Sequence, residues 1–397
     1  MAPLPSTLSV VQTLRIALVV NPFTLKRRGG GHAAELAREL LGRGHTVRGF
    51  GAAPGDIPRS AHQPRVDGGV APDEGMGLLG FQPDVILAYD ALSPAAWLAA
   101  RRARKLGVPW ILVEEGLPEV GSPLQRFMRG AGRRLWGSYV RRSVDRVIVS
   151  DPAAAERAAQ LGFDPKQFEE VVGGIDLVAH RPNLASHLFA EHGIRGRAIL
   201  RFGGLEEGRG TGVLIDAFAR TVGRREDWSL VLVGKGPAQP SFRAQVDRLG
   251  VGSRVHWLPQ PRREERPGLM GSATLLASPG TDRKVGSLTV RQALACGLPV
   301  LASDIPRLRS YVEHDGTGQL VTPGDVDAWT EAIRVAAGSP VRRRRWGERA
   351  RQVAQERFSW PVIAERIESI CREVVAARSQ AGEPDARASG AAAPQEG

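Results

Sequence analysis

Cysteine is scarce in this sequence: Cys296 and Cys371 are the only two in 397 residues. That is too few for a disulfide framework, and their spacing is not that of metal ligands, so both are expected as buried thiols. Aromatic residues make up only 6%. They are not interleaved with basic residues on strand-like segments, and with no zinc-finger spacing either, nucleic acid is disfavoured as a partner. No apolar run reaches the roughly 18 residues of a membrane span. Residues 1–11 lack a basic start followed by an apolar stretch and a small-residue cleavage site, so no signal peptide is read and a cytoplasmic location is expected.

What the chain has in excess is positive charge. Lys and Arg total 54 against 42 Asp and Glu, a formal net charge of +12 that calls for an anionic partner or a basic background. With 42% hydrophobic residues over this length, the chain exceeds what one core usually serves, and two domains are expected.

Short runs of Val, Ile and Leu alternate with helical patterns, as parallel strands joined by crossover helices do. The fold class is therefore α/β, with two Rossmann-like domains. In the first half the expected strands are residues 16–20, 46–50, 85–89, 110–113, 146–150 and 170–172. The clearest helix spans 32–43, where Ala33, Leu36, Ala37, Leu40 and Leu41 recur at helical spacing and Gly44 supplies the stop. Residues 51–80, rich in Gly, Pro and Asp, are expected to be mostly loop. A second series of strands follows at 198–202, 230–233, 255–258, 275–278, 300–302 and 319–321. The weakly periodic segment 178–196 between the two series reads as a linker. An Arg-rich helix at 342–358 and an amphipathic one at 361–377 close the chain. The tail from 378 is poor in large apolar residues and is expected to be disordered.

Four segments carry candidate chemistry. Gly29, Gly30, Gly31 and His32 lie between the first strand and the first helix, where bare amides and the helix dipole face an anion. Gly203 and Gly204 follow the first strand of the second half. Arg209, between Gly208 and Gly210 and just before a helix at 211–220, supplies a cation for a diphosphate. Gly234, Lys235 and Gly236 form a strand-end turn for a nucleobase, with Leu258 ending the next strand. Gly286, Ser287, Leu288 and Thr289 open a helix, with Ser287 as its expected N-cap and amides for phosphate or sugar hydroxyls.

These segments, with PDVILAYD, GVPWILVEEGLPE, VDRVIVSD, VVGGIDL, FGGLEEGRGTGVLIDAFAR, LVLVGKGP, LGVGSRVHWLP, ALACGLPVLASDIPRLRSYVEHDGTGQLVTPGD and FSW, give the sequence a family likeness. It resembles glycosyltransferase family 4, retaining enzymes of the GT-B fold, over residues 15–377. The resemblance implies two Rossmann-like domains facing a central cleft. The C-terminal one would hold a nucleotide diphosphate sugar, UDP- or GDP-linked, and the N-terminal one a hydroxyl acceptor, glycan or lipid-linked. It implies transfer of a hexosyl group with retention and no metal or other cofactor. The expected layout is an extension at 1–14, an acceptor domain at 15–180, a linker at 181–197, a donor domain at 198–358, a helix at 359–377 returning to the first domain, and the tail.

Departures from the family pattern fall on the donor side. Two glutamates usual in the family are replaced by Lys284 and Gln292, and Asp282 lies two residues before Lys284. Lys284 has no acceptor, whereas Gln292 can still bond a ribose. Gly204 stands at the usual position of an Arg and Arg209 at that of a Lys, so Arg201 or Lys284 is the candidate for the missing cation. In the first half, Asp90 and Glu115 stand on the sugar side. Glu115 occupies the place of a frequent family histidine, as a base or a hydrogen-bond acceptor. Glu114, beside it, reads as an exposed residue.

Residues 124–144 alternate apolar side chains with arginines, a pattern that suits either packing on the first sheet or an anionic membrane surface, although three glycines interrupt it. A catalytically impaired partner protein of the same fold is the alternative reading, favoured by loss of both glutamates. A nicotinamide-dependent dehydrogenase is disfavoured, because no glycine fingerprint is followed by an acidic ribose ligand at the required distance.

Overall fold

A computed structural model of the chain describes residues 13–20, 31–51, 76–91, 93–114, 137–223, 225–281 and 286–382. Two compact units result. The first comprises Met1–Ser150, Ala154–Val171 and Ala364–Gly397; the second comprises Asp151–Ala153 and Val172–Ile363.

The elements of the first unit are β1 (Arg15–Val19), α1 (Gly31–Gly42), β2 (Thr46–Phe50), α2 (Met76–Phe81), β3 (Val85–Tyr89), α3 (Pro94–Leu106), β4 (Trp110–Glu114), α4 (Gly137–Ser143), β5 (Arg146–Val149), α5 (Pro152–Gln160) and β6 (Phe168–Glu170). Their six strands form one parallel sheet ordered β2-β1-β3-β4-β5-β6. β3 is buried along its whole length, as a strand covered by helices on both faces must be. α3 shows how the sequence sets a helix. Ser93 caps it by accepting from the Ala96 N–H at 3.1 Å, Pro94 starts it, and Gly107 at φ +71 ends it. Its inward face is Ala96, Ala99, Ala100 and Ala103, small enough for close approach to the sheet.

The second unit contains α6 (His187–Glu191), β7 (Arg197–Phe202), α7 (Thr211–Thr221), β8 (Trp228–Val233), α8 (Gln239–Arg248), β9 (Val255–Leu258), α9 (Arg266–Ser272), β10 (Leu275–Ser278), α10 (Ser287–Ala295), β11 (Val300–Ser303), α11 (Pro306–Arg309), β12 (Gly318–Val321), α12 (Val326–Gly338) and α13 (Pro340–Arg357). Its sheet is parallel and ordered β12-β11-β10-β7-β8-β9. The period-2 alternation of strands divides its side chains between two cores. Leu200, Val231, Val233, Leu276 and Val300 enter one. Ile199, Leu230, Leu232, Leu275 and Leu301 enter the other, with Trp228, Trp329 and Trp346 fully buried among them.

The last described element is α14 (Trp360–Gly382), whose residues from Ala364 belong to the first unit. Ile367, Ile370, Cys371 and Val374 are its buried stripe. Glu368 receives Arg43 at 2.6 Å, His45 Nε2 at 3.2 Å and Arg372 at 2.8 Å. Burial opposes its ionisation, but the hydrogen bonds from Arg43 and Arg372 prevail and hold its pKa down to about 2.

Several expectations need correction. The sixth strand of the first sheet is Phe168–Glu170, not 170–172, because the chain from Val172 already belongs to the second unit. There the Ile175 N–H donates to the Phe358 carbonyl at 2.7 Å. The segment 181–197 is not a free linker. Phe189 and Ile194 are buried in the second unit's core, and the Ser186 N–H donates to Ser272 Oγ at 2.8 Å. Two buried apolar residues in so short a polar stretch leave little periodic signal. Residues 378–382 continue α14 and are not part of a disordered tail. Met76–Phe81 is helical where loop was expected, with Leu78 and Phe81 buried. Both cysteines are buried, and burial pushes their thiols up to about 12, so neither is a nucleophile at neutral pH.

Candidate functional site

In an open parallel sheet, ligands bind beyond the carboxyl ends of the strands where the strand order reverses. In the second unit that point lies between β7 and β10, since β8 and β9 extend the sheet to one side while β11 and β12 extend it to the other. The register brings Phe202 level with Val233, and Val233 level with Leu258. Gly203, Gly234 and Pro279 therefore leave the sheet along one edge.

The turns at this edge interlock through their backbones. The Gly203 N–H donates to the Val233 carbonyl at 3.0 Å, the Leu205 N–H to the Lys235 carbonyl at 3.1 Å, and the Ala238 N–H to the Leu205 carbonyl at 3.0 Å. The Gly234 N–H donates to the Leu258 carbonyl at 3.1 Å. On the other side of β7, Thr281 Oγ1 donates to the Gly208 carbonyl at 3.1 Å. A side chain at Gly234 would collide with the Gly203 carbonyl, and one at Gly210 with the Pro279 carbonyl. Both sit at positive φ, +135° and +71°.

Three charged side chains surround the first turn. Arg201 is 4% exposed, and its guanidinium donates to the Gly203 carbonyl at 2.5 Å and the Gly204 carbonyl at 2.7 Å. Burial, then repulsion from Arg209, pushes its pKa down to about 10 against the pull of Glu206, so it remains charged at neutral pH. Because a trans peptide sets its N–H opposite its carbonyl, drawing the Gly203 carbonyl toward Arg201 aims the Gly204 N–H away from it. Arg209 pairs with Glu206 at 2.5 Å, Nε to Oε2.

Half of the donor-side residues expected from the sequence are thus brought to one edge: Gly203, Gly204, Arg209, Gly234, Lys235, Gly236 and Leu258. Arg201 is a candidate cation that proves to be engaged with the turn's own carbonyls. Gly286 and not Ser287 is the N-cap of α10, with extended backbone and no side-chain cap, because Ser287 is the helix's first residue and its hydroxyl bonds Tyr311. Leu288 is exposed, Thr289 half-buried and Gln292 only 6% exposed. Asp282 and Lys284 lie outside the described residues, as do Gly29, Gly30 and Glu115.

In the first unit, Gly31 begins α1. His32 meets Tyr89 at the end of β3, Nδ1 to Oη 3.2 Å, with the rings edge-on at 5.8 Å. Asp90 follows at φ +67°, the left-handed region that Asp tolerates better than most residues. Glu114 is half-buried at the end of β4, not exposed, and its Oε2 accepts from the Ala91 N–H at 3.5 Å. Of the arginine-rich stretch 124–144, the residues to 136 lie outside the description; α4 covers Gly137–Ser143, with Val140 buried.

Residues not singled out from the sequence include Glu206 and the buried pair Asp151 with Arg307, at 3.2 Å within the second unit. Arg291, on α10, donates to the Gly173 carbonyl. The pairings of Asp151 with Arg307 and of Arg291 with Gly173 span more than 100 residues and leave no local pattern to read. Among the described residues no group of three potential metal ligands occurs, and no helix is long and apolar enough to cross a membrane.

Two family descriptions match the chain and together span most of it: a glycosyl transferase 4-like domain over residues 29–172, and glycosyl transferases group 1 over residues 189–353. The chain belongs to the family-4-like glycosyltransferases. The group 1 match contains every described donor-side turn. Among similar glycosyltransferases, the D-inositol 3-phosphate glycosyltransferase of Gordonia bronchialis is 28% identical, over 87% of this chain and 85% of its own length. The enzyme of the same name from Jonesia denitrificans is 29% identical over 56% of this chain and 55% of its own length. The phosphatidyl-myo-inositol mannosyltransferase of Mycobacterium leprae is 27% identical over 60% and 61%. The latter two are thus matched over less than two thirds of their own length. Among solved structures, Anabaena HepE in complex with UDP aligns with a TM-score of 0.67 at 21% identity, covering 91% of this chain and all of that one. Sucrose-phosphate synthase of Thermosynechococcus elongatus aligns at 0.68 and 21%, covering 92% and all of that chain. These likenesses show the fold, and it is the α/β arrangement of two parallel sheets expected from the sequence.

Proposed function

We propose that the protein transfers a hexosyl group from a nucleotide diphosphate sugar, UDP- or GDP-linked, to a hydroxyl of a glycan or lipid-linked acceptor, with retention and without a metal cofactor. The observation that carries this reading is the interlocked edge formed by Gly203–Gly204, Gly208–Gly210 and Gly234–Gly236 at the switch point of the second sheet. Amides at this edge and at the start of α10, with Arg209, would hold the diphosphate and stabilise the charge that develops as it leaves. Gln292 would bond the ribose. UDP in the HepE structure supports a uridine nucleotide. The names of the Gordonia and Mycobacterium relatives support a polyol or lipid-linked acceptor. A lipid-linked acceptor would bring the protein to the inner face of the cytoplasmic membrane.

The test is nucleotide release from a panel of UDP- and GDP-sugars with polyol and lipid-linked acceptors, in the presence and absence of EDTA, followed by NMR of the product's anomeric proton. Transfer with the donor's anomeric configuration, insensitive to EDTA, is the expected result. A second reading, a non-catalytic binding protein of the same fold, is favoured by Gln292, which stands buried where the family's glutamate is usual. Nucleotide-dependent thermal stabilisation without turnover of any donor would decide for it.

A further inference from the structure

Gly204 admits a carboxylate to a turn that Arg201 and Arg209 both approach. A methyl group added at this residue would lie 2.7 and 2.8 Å from the two oxygens of Glu206, so only the bare Cα lets that side chain fold back over the turn. Glu206 Oε2 is shielded from solvent although the side chain as a whole is 44% exposed. It lies 2.5 Å from Arg209 Nε, and both it and Arg209 act electrostatically on the buried Arg201. A solvated surface pair three residues apart contributes little. A carboxylate with one oxygen excluded from water, beside two guanidinium groups and packed on a glycine turn, is placed as a bound anion is placed.

We propose that the Glu206 carboxylate occupies, in the free protein, the position that one phosphate of a nucleoside diphosphate takes on binding, and so sets how tightly the turn holds its anion. The proposal rests on the donor reading above, and deepens it by naming the residue that competes with the ligand. Binding then requires Glu206 to swing out and Arg209 to exchange one carboxylate for one phosphate oxygen. The side chain's exposed side leaves it room to do so. Diphosphates are selected against an internal competitor, and monoanionic ligands are the least able to displace it.

The probe is inorganic pyrophosphate, with UDP and GDP beside it, titrated calorimetrically into the full-length protein and into Glu206→Gln, Glu206→Ala and Glu207→Gln. Glu207 is the exposed neighbour, so its variant makes the same change in net charge without vacating the turn. Glu206→Gln and Glu206→Ala are expected to bind pyrophosphate about three- to ten-fold more tightly, the range of one ordinary hydrogen bond, since the Glu206 side chain is partly exposed and its pairing screened. Glu207→Gln should match the unsubstituted protein within about two-fold. Pyrophosphate affinity unchanged or weakened in both Glu206 variants overturns the proposal. So does equal tightening in Glu207→Gln, which would mark a general charge effect, or the absence of pyrophosphate binding in all four proteins. Tightened pyrophosphate binding with no turnover of any donor sugar would leave the anion position standing and refute the transfer reading instead.

Discussion

Replacing Arg201 by Met separates what this side chain does for stability from what it does for the turn. Two contributions to stability oppose each other. Removing the guanidinium leaves the Gly203 and Gly204 carbonyls without their donor, at about 1–3 kcal/mol each. Against that, holding the charge inside the fold is itself costly. Its pKa is pushed from 12.5 to about 10, and at about 1.4 kcal/mol per unit the relief is about 3 kcal/mol. Methionine fills most of the vacated volume, so the cavity contribution is small. The net loss expected is about 1 kcal/mol, a fall of about 2–4 °C in the unfolding temperature of a domain this size. Anion binding should respond far more. Without Arg201 the peptide between Gly203 and Gly204 is free to turn, and its N–H no longer has a fixed direction. Affinity for UDP and for pyrophosphate is expected to fall at least about ten-fold, the equivalent of one lost charge-assisted hydrogen bond. Arg201→Lys, which keeps the charge but not the fork, should lie between the two. Calorimetric titration, paired with urea unfolding of the same samples, gives both quantities. Undiminished binding in a folded Arg201→Met protein would refute the argument that this side chain orients an anion-binding turn.

Gly234→Ala should fold poorly and lose nucleotide binding, because the added methyl meets the Gly203 carbonyl at a residue already at φ +135°; a cost of about 2–4 kcal/mol is expected in urea unfolding. Gly174→Ala tests packing away from the turn. Its methyl would lie 2.5 and 2.6 Å from atoms of the Trp360 ring, and a loss of about 1–3 kcal/mol without a change in pyrophosphate affinity is expected from denaturation and titration together. Glu368→Gln addresses the last helix through pH. A carboxylate held at about 2 instead of 4.5 stabilises the fold fully above the higher value, and that contribution drains away as pH falls from 4.5 toward 2. The variant should be about 2–3 kcal/mol less stable at pH 7, with the gap narrowing at pH 3; an equal gap at both would show that the ion cluster is not its cause.

The fold was legible because a parallel sheet covered on both faces writes itself as apolar runs. Val85–Tyr89 and Leu275–Ser278 are such strands, bounded by turns that contain Gly, Pro or Asp. Gly203–Gly204 and Gly234–Gly236 were legible for the same reason, since each pair follows a strand end. What the sequence hid was anything decided by contact between distant segments. Phe189 and Ile194 look like isolated residues in a polar linker, yet both are core. Ser287 has the chemistry of an N-cap, but the helix begins one residue too early for it to serve. Arg201 reads as an odd charge inside a strand, and only the curl of the next two residues shows that its fork is spent on their carbonyls.

This last point changes what the glycines mean. Read one at a time, Gly203, Gly210, Gly234 and Gly236 suggest places where the backbone must come close to a phosphate or a base. In the fold, a side chain at Gly210, Gly234 or Gly236 would strike the carbonyl of a neighbouring turn, at Pro279, Gly203 and Leu205 respectively. These three are bare so that one loop can lie on another. Such a lattice fixes where the edge is but says little about which anion it prefers, because the same backbone would accept phosphate, pyrophosphate or a carboxylate. Preference must then come from the charges set into it: Arg201 from beneath, Arg209 from the side, and Glu206 competing for both. Gly204 is the exception among the glycines, since the group it makes room for is that competing carboxylate. If affinity for diphosphates is tuned anywhere in this chain, it is tuned at residues 204 and 206 together, and because a side chain at 204 would meet the Glu206 carboxylate, their substitutions should be strongly non-additive in binding.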